Sequence, residues 1–238
     1  GLIHADVSGA LSIDVQGDTF TNNGNILATG AGGLTLLDNF VVNNGDVSVE
    51  SVLDVASEYR QEAGSTRVNG VMRAGSLIIS NGNLSGEGSI ESFVQVSKDG
   101  NLNASNMLDS LTFEDNLELF GSAYFDLFSD GSSDTLTVNG DLSFAATTMF
   151  IFDFAADVEL FPNMTFEFLY VQSMLNFDLI NASNVSFNRS LGTYHWLLLW
   201  NDAGDALSIT FVDEPAQLAF LLLGLAYLVR RHNHKMKR

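Results

Sequence analysis

Three aspartates, Asp126, Asp130 and Asp134, recur at four-residue intervals with Gly131 among them. Hard cations such as Ca²⁺ take oxygen ligands from loops of this composition. The spacing lacks the alternating Asp-x-Asp-x-Asp order of a calcium loop, and no calcium-type nonapeptide repeat accompanies it. A solvated loop is therefore the expected role, and no metal site is expected. Paired carboxylates hydrolyse glycosides, but among 29 acidic residues some pairs fall close together by chance. A lyase for acidic polysaccharides would need cations to hold its substrate. Before the C-terminal segment the chain offers only Arg60, Arg67, Arg73, Lys98 and Arg189. Arg60, Arg67 and Arg73 lie near enough in sequence for a small basic patch, with solvated strand edges as the plainer expectation. The histidines are scattered: His4, His195, His232 and His234. No Gly-x-Ser-x-Gly elbow or His-Glu-x-x-His motif joins them, so His195, beside Trp196, reads as a strand residue. The absence of cysteine excludes thiolate metal sites, disulfides and cysteine catalysis. The expectation is a protein that is not an enzyme, with no catalytic residue and no cofactor.

The elements that would carry these residues repeat along the chain. Phe20-Thr-Asn-Asn-Gly24-Asn-Ile26 is echoed by Val42-Asn-Asn-Gly45-Asp-Val47. The same pattern, apolar then Asn-Gly or Asp-Gly then apolar, returns at Asn69-Gly70, Asn81-Gly82, Asp99-Gly100 and Asn139-Gly140. Asn-Gly tolerates positive φ, so each is read as a tight turn. Between the turns the residues alternate, as in Leu34-Thr-Leu36, Val47-Ser-Val49, Leu77-Ile-Ile79 and Leu136-Thr-Val138. A period of two means strands with one buried face. Hairpins in a meander would satisfy the turns alone. Recurrence at irregular intervals with many short strands points to a solenoid, in which rungs of two or three strands stack about 4.8 Å apart. Like side chains would then form ladders, asparagines included. The expected fold is all-β, a parallel β-helix (solenoid), with a β-sandwich or stacked hairpins as the alternative.

From about Phe144 the composition shifts toward phenylalanine: Phe150, Phe152, Phe161, Phe166, Phe168, Phe177 and Phe187. The segments around Tyr194–Trp200 and Ala206–Phe211 read as a hairpin closed by 201–205. This half is expected to be a β-rich cap over the open end of the solenoid, or else a separate small β-domain.

Half of all lysine and arginine falls in the last nine residues, Arg230-Arg231-His-Asn-His-Lys235-Met-Lys237-Arg238. Ahead of them stands an apolar run, 216–229, interrupted only by Gln217 near its start, and ahead of that Asp213-Glu214-Pro215. A helix over 216–229 would be about 21 Å long, short of a hydrocarbon core about 30 Å thick. It has no polar face, so a single C-terminal hydrophobic helix in lipid is expected rather than an amphipathic surface helix. Local thinning of the bilayer would absorb the mismatch. Arg230 and Arg231 would act as the membrane stop, holding that end on the cytoplasmic side.

This order of motif, apolar run and basic end resembles the PEP-CTERM sorting signal of Gram-negative bacteria, over about 25 residues. Glu214, Pro215, the apolar run and Arg230-Arg231 match; Asp213 replaces the first proline, and the basic end is longer. The resemblance implies Asp213, Glu214 and Pro215 as sorting motif, an exosortase-type processing enzyme as partner, and passage through the inner membrane. A plain single-pass anchor without processing stays open. The body resembles the passenger regions of autotransporters and of PEP-CTERM proteins with autotransporter-like repeats, through its asparagine-glycine turns, Gly86-Glu87-Gly88-Ser89-Ile90, and Asp134-Thr-Leu136-Thr-Val138-Asn-Gly140.

The formal net charge of −19 repels nucleic acid and anionic membrane surfaces, so no nucleic-acid partner is expected. Gly1-Leu-Ile-His-Ala5 reads as the remnant of a secretory signal ending at a small residue, or as an arbitrary start of the sequence. The expected organisation is 1–5 signal remnant, 6–145 repeat β-solenoid, 146–212 cap, and 213–238 sorting tail with a membrane segment at 216–229. The function this implies is an exported cell-surface or extracellular-matrix protein of adhesion or biofilm, first inner-membrane-anchored and then at the cell surface or outside it, with surface polysaccharide as a partner. The alternative is a secreted polysaccharide-active enzyme on the same scaffold.

Overall fold

The computed structural model of the protein describes residues 1–17, 19–103, 110–201 and 204–212. Within them the period-two segments form strands that pair in parallel with the equivalent strand of the next coil, so the chain is an all-β solenoid. In-register parallel pairing excludes the sandwich and meander alternatives for this body. The Asn-Gly sites join strands on different faces of a coil instead of closing hairpins.

Each coil has three faces. The first carries Leu2–Ala5, Asn25–Ala28, Asp46–Val49 and Ser65–Val68, stacked in that order. It continues through the ends of two long strands, Val71–Ser85 and Ser89–Asn103, then Ser122–Leu127, Met149–Phe154 and Val185–Phe187. The second carries Leu11–Ile13, Leu34–Leu36, Val52–Val55, the starts of both long strands, Ser110–Phe113 and the start of Thr135–Phe144. The strand Thr165–Leu175 then stacks on it. The third begins with Thr19–Asn22, Phe40–Asn43 and Glu58–Gln61. It passes through the middle of the long strands to Leu117–Leu119 and the end of Thr135–Phe144. The long strands turn the corners without breaking; the ladder shifts register between Arg73 and Ser76 and between Ile79 and Asn81.

Alternation puts every second side chain into the bore, where parallel register lines them up. One column of the third face reads Asn22, Asn43, Gln61, Ile79, Val96, Leu119, Phe144. Its lower members form the asparagine ladder expected from the repeats. Asn22 Nδ2 donates to Asn43 Oδ1 at 2.7 Å, and each Oδ1 also accepts from the glycine amide two residues on. Gln61 continues the ladder, donating to the carbonyls of Gly64, Asn81 and Asn83 and accepting from Thr66 Oγ1 at 2.6 Å. Higher up the column turns aliphatic, and each such buried side chain contributes about 1.5–3 kcal/mol.

The Asn-Gly glycines serve a purpose other than the expected one. Of Gly24, Gly45, Gly70, Gly82, Gly100 and Gly140, only Gly82 has positive φ. At the others glycine is required by close approach of the coil below: a Cβ on Gly45 would lie 2.0 Å from the Gly24 carbonyl oxygen, and one on Gly70 1.9 Å from that of Ser51.

Parallel stacking continues past Phe144 through Met149–Phe154 and Thr165–Leu175. The expected hairpin is present: His195–Trp200 pairs antiparallel with Ala206–Val212, which pairs antiparallel with Thr165–Leu175. Here phenylalanines fill the bore. Phe168 lies with ring centroids 4.8 Å from Phe125 and 5.0 Å from Phe152. Trp196 and Trp200 of the hairpin pack against Phe187 and Phe177. Among the described residues no helix is long and apolar enough to cross a membrane; the expected helix at 216–229 lies outside them.

Candidate functional site: a polar cleft on the second face

The sorting residues Asp213, Glu214 and Pro215 and the stop residues Arg230 and Arg231 lie outside the described residues. The other residues singled out by type lie apart from one another. Arg60, Arg67 and Arg73 form no patch, because successive positions in one coil fall on different faces. Arg60 lies on the third face against Glu58, at 2.9 Å, and Arg67 on the first face, donating to Asn69. Arg73 lies on the second face between Glu91 at 2.6 Å and Asp54 at 3.5 Å. Glu91 first, and then Asp54, hold the exposed Arg73 guanidinium above its ordinary value. Arg189 donates to the Val158 carbonyl at 2.7 Å and covers the Phe154 ring. His4 meets Thr29 Oγ1 at 2.9 Å, and His195 is exposed on the last hairpin.

The three aspartates do not converge on a common point. Asp134 is buried and accepts from the Asp126 amide at 2.6 Å, while its own amide donates to the Asp126 carbonyl. Asp130 stands at the tip of the loop between them. It accepts from the hydroxyl and amide of Ser132, which hold its carboxyl below the usual range. Gly131 takes φ +88° to close the turn. The aspartates build a clamped loop, and among the described residues no group of three or more His, Cys, Asp or Glu converges as a metal site.

That loop forms one wall of a cleft of about 710 Å³. Its floor is the second face, where Ser110 and Thr135 stand in register on adjacent parallel strands. Glu87 reaches it from the corner before Ser89–Asn103, and Thr165, Glu167 and Tyr170 from Thr165–Leu175. Ser133 Oγ donates to the Glu167 carbonyl at 2.7 Å, tying loop to strand. Tyr170 donates to Glu167 Oε2 at 2.9 Å; partial burial, then this bond and the Glu167 charge, raise the Tyr170 phenol above its ordinary value. Among the described residues no lysine, arginine or histidine lines the cleft. The sequence did not point to the cleft as a unit: its residues come from four separated segments and share no motif.

No family model matches the chain, and no curated protein matches it either.

Proposed function

We propose that the protein is an exported structural protein of a Gram-negative cell surface or extracellular matrix, acting in adhesion or biofilm. What carries this reading is one combination: an acidic β-solenoid followed directly by Asp213-Glu214-Pro215, an apolar run and Arg230-Arg231. A solenoid presents long outward ladders and multiplies weak contacts along its length. Its net charge keeps an exported body soluble. In this reading the tail holds the precursor in the inner membrane until an exosortase-type enzyme processes it, and the released body works outside the cell against surface polysaccharide. Intact-mass analysis of protein recovered from its native cells tests this. A mature C-terminus near Pro215 is expected; a mass that retains Arg238 would replace the released matrix protein with a membrane-tethered one. Deleting 213–238 should leave the body folded and abolish membrane retention.

The polysaccharide-active enzyme is the second reading, and the observation that favours it is the meeting of Glu87 and Glu167 in one cleft. Both carboxylates are exposed, whereas a general acid works from a desolvated setting. New reducing ends in a polysaccharide incubated with the protein would decide for the enzyme.

A further inference from the structure

We infer that the cleft on the second face binds a short stretch of uncharged, hydroxyl-rich polysaccharide. This deepens the surface-protein reading and rests on it.

Size comes first. A volume of about 710 Å³ lies within the roughly 300–1,000 Å³ of small-molecule sites, and the open mouth suits a segment of a chain. The polar lining then selects the ligand. Ser110 and Thr135 present hydroxyls that both donate and accept, while Tyr170 and Thr165, whose hydroxyls bond Glu167 and Asn163 or Thr210, add acceptor oxygens; this suits a ligand whose own groups donate and accept. Ser110 and Thr135 stand in register on neighbouring strands, about 4.8 Å apart, so the hydroxyls form a row along the solenoid axis. Glu87 and Glu167 add acceptors that make charge-assisted bonds with sugar hydroxyls.

Charge excludes the neighbouring classes. Two carboxylates, with no cation among the described lining residues, repel uronates, sulfated glycans and phosphates. A divalent cation alone lacks a ligand set, since among the described residues no third acidic group joins the pair. Tyr170 adds the apolar contact: its ring is half-buried, held by its hydroxyl on Glu167, and its face suits the C–H surface of a sugar ring.

The site is also formed in advance. Ser133 pins the loop to Glu167, and Asp130 and Asp134 clamp the loop internally, so little ordering remains to oppose binding.

Affinity electrophoresis of the full-length chain tests the assignment, in gels containing a neutral glucan, a neutral galactomannan or polygalacturonate. Retardation by at least one neutral polymer is expected, with none by polygalacturonate. Tyr170→Ala and Thr135→Val should each weaken retardation about tenfold or more. Arg60→Ala, on another face, should leave it unchanged, and circular dichroism should show all three folded. Thr135→Val keeps the shape of the strand position, so the test survives if Tyr170→Ala misfolds. No retardation by either neutral polymer, equal retardation of wild type and Thr135→Val, or preference for polygalacturonate would overturn the inference. Reducing ends released from a retarding polymer would keep the glycan site and remove the structural reading. A mature mass retaining Arg238 would alter the sorting reading and leave the cleft result standing.

Discussion

The lower coils and the upper coils solve the same packing problem with different chemistry. Around Asn22, Asn43 and Gln61 the coils are short, with equivalent residues 21 apart in sequence between Asn22 and Asn43. Glycines let the corners close, and amides bond upward from coil to coil. Above Phe144 the equivalent contacts span 34 residues, as between Phe154 and Asn188, and the bore is filled by phenylalanine rings. Amide ladders need exact stacking, because each donor must meet an acceptor one coil away. Rings need only volume and tilt. The regular half therefore depends on repetition and the irregular half on bulk.

The comparison breaks most sharply at Phe168. It is fully buried and touches Phe125, Phe150 and Phe152. Phe168→Ala should cost about 3–5 kcal/mol, read as a fall in the urea midpoint, with the near-ultraviolet aromatic signal lost before the far-ultraviolet β signal. Simultaneous loss would mean that the two halves unfold as one unit and that the chemical difference has no energetic boundary.

Gly45→Ala tests the regular half. A Cβ there meets backbone, the Gly24 carbonyl at 2.0 Å, and backbone in a ladder cannot move alone. We expect a cost of about 3 kcal/mol. Gly131→Ala is the control: its φ is +88° but a Cβ meets nothing within 4 Å, so only the left-handed backbone is penalised, by about 1–2 kcal/mol. Equal costs at the two sites would show that coil approach is softer than the stacking implies.

These two glycines also mark what was legible in the sequence. The repeat of Asn-Gly and the two-residue alternation were enough for the all-β solenoid, because a strand's buried face and a corner's small residue are local properties. That glycine was needed for stacking, with φ negative at Gly24 and Gly45, was not legible, since the clash comes from the coil below. The same limit explains the arginines. Arg60, Arg67 and Arg73 are neighbours in sequence and occupy three faces in space, because one coil takes only about 19 residues, as between Glu50 and Asn69. The cleft was hidden for the converse reason: Glu87, Thr135 and Tyr170 meet only after coils of unequal length have been stacked. Single residues such as Asp134 read as solvated because nothing local announced its bond to the Asp126 amide.

The junction between amide and aliphatic coils should respond to alkali. Tyr59 is fully buried there, its hydroxyl 2.6 Å from Thr66 Oγ1. Burial pushes its phenol well above the ordinary value, although bonds with Thr66 and Asn43 pull the other way. The folded state thus holds this proton more tightly than the unfolded chain. The stabilisation is complete below the unfolded value, about pH 10, and is lost as pH rises toward the folded one. The urea midpoint should fall above about pH 10 in the wild type and fall less steeply in Tyr59→Phe. That variant should itself cost about 1 kcal/mol at neutral pH. Identical slopes would place the alkaline sensitivity elsewhere.

The smallest effect has the opposite sign and falls within the regular half. Asn22, Asn43, Gln61 and Thr66 show that buried polar groups here are ordinarily bonded. Asp38, in the corner between Leu34–Leu36 and Phe40–Asn43, departs from this, as does the Ser92 hydroxyl: Asp38 is 2% exposed, and neither carboxylate oxygen has a partner among the described residues. A buried polar group without a hydrogen bond opposes folding, and a charged one does so more strongly. Asp38→Leu, which shares the branched side-chain skeleton and has no polar atoms, should therefore raise the urea midpoint, by about 1 kcal/mol. A fall would mean that water or a cation completes the Asp38 carboxylate in solution, making this corner polar by design like the amide ladder beside it.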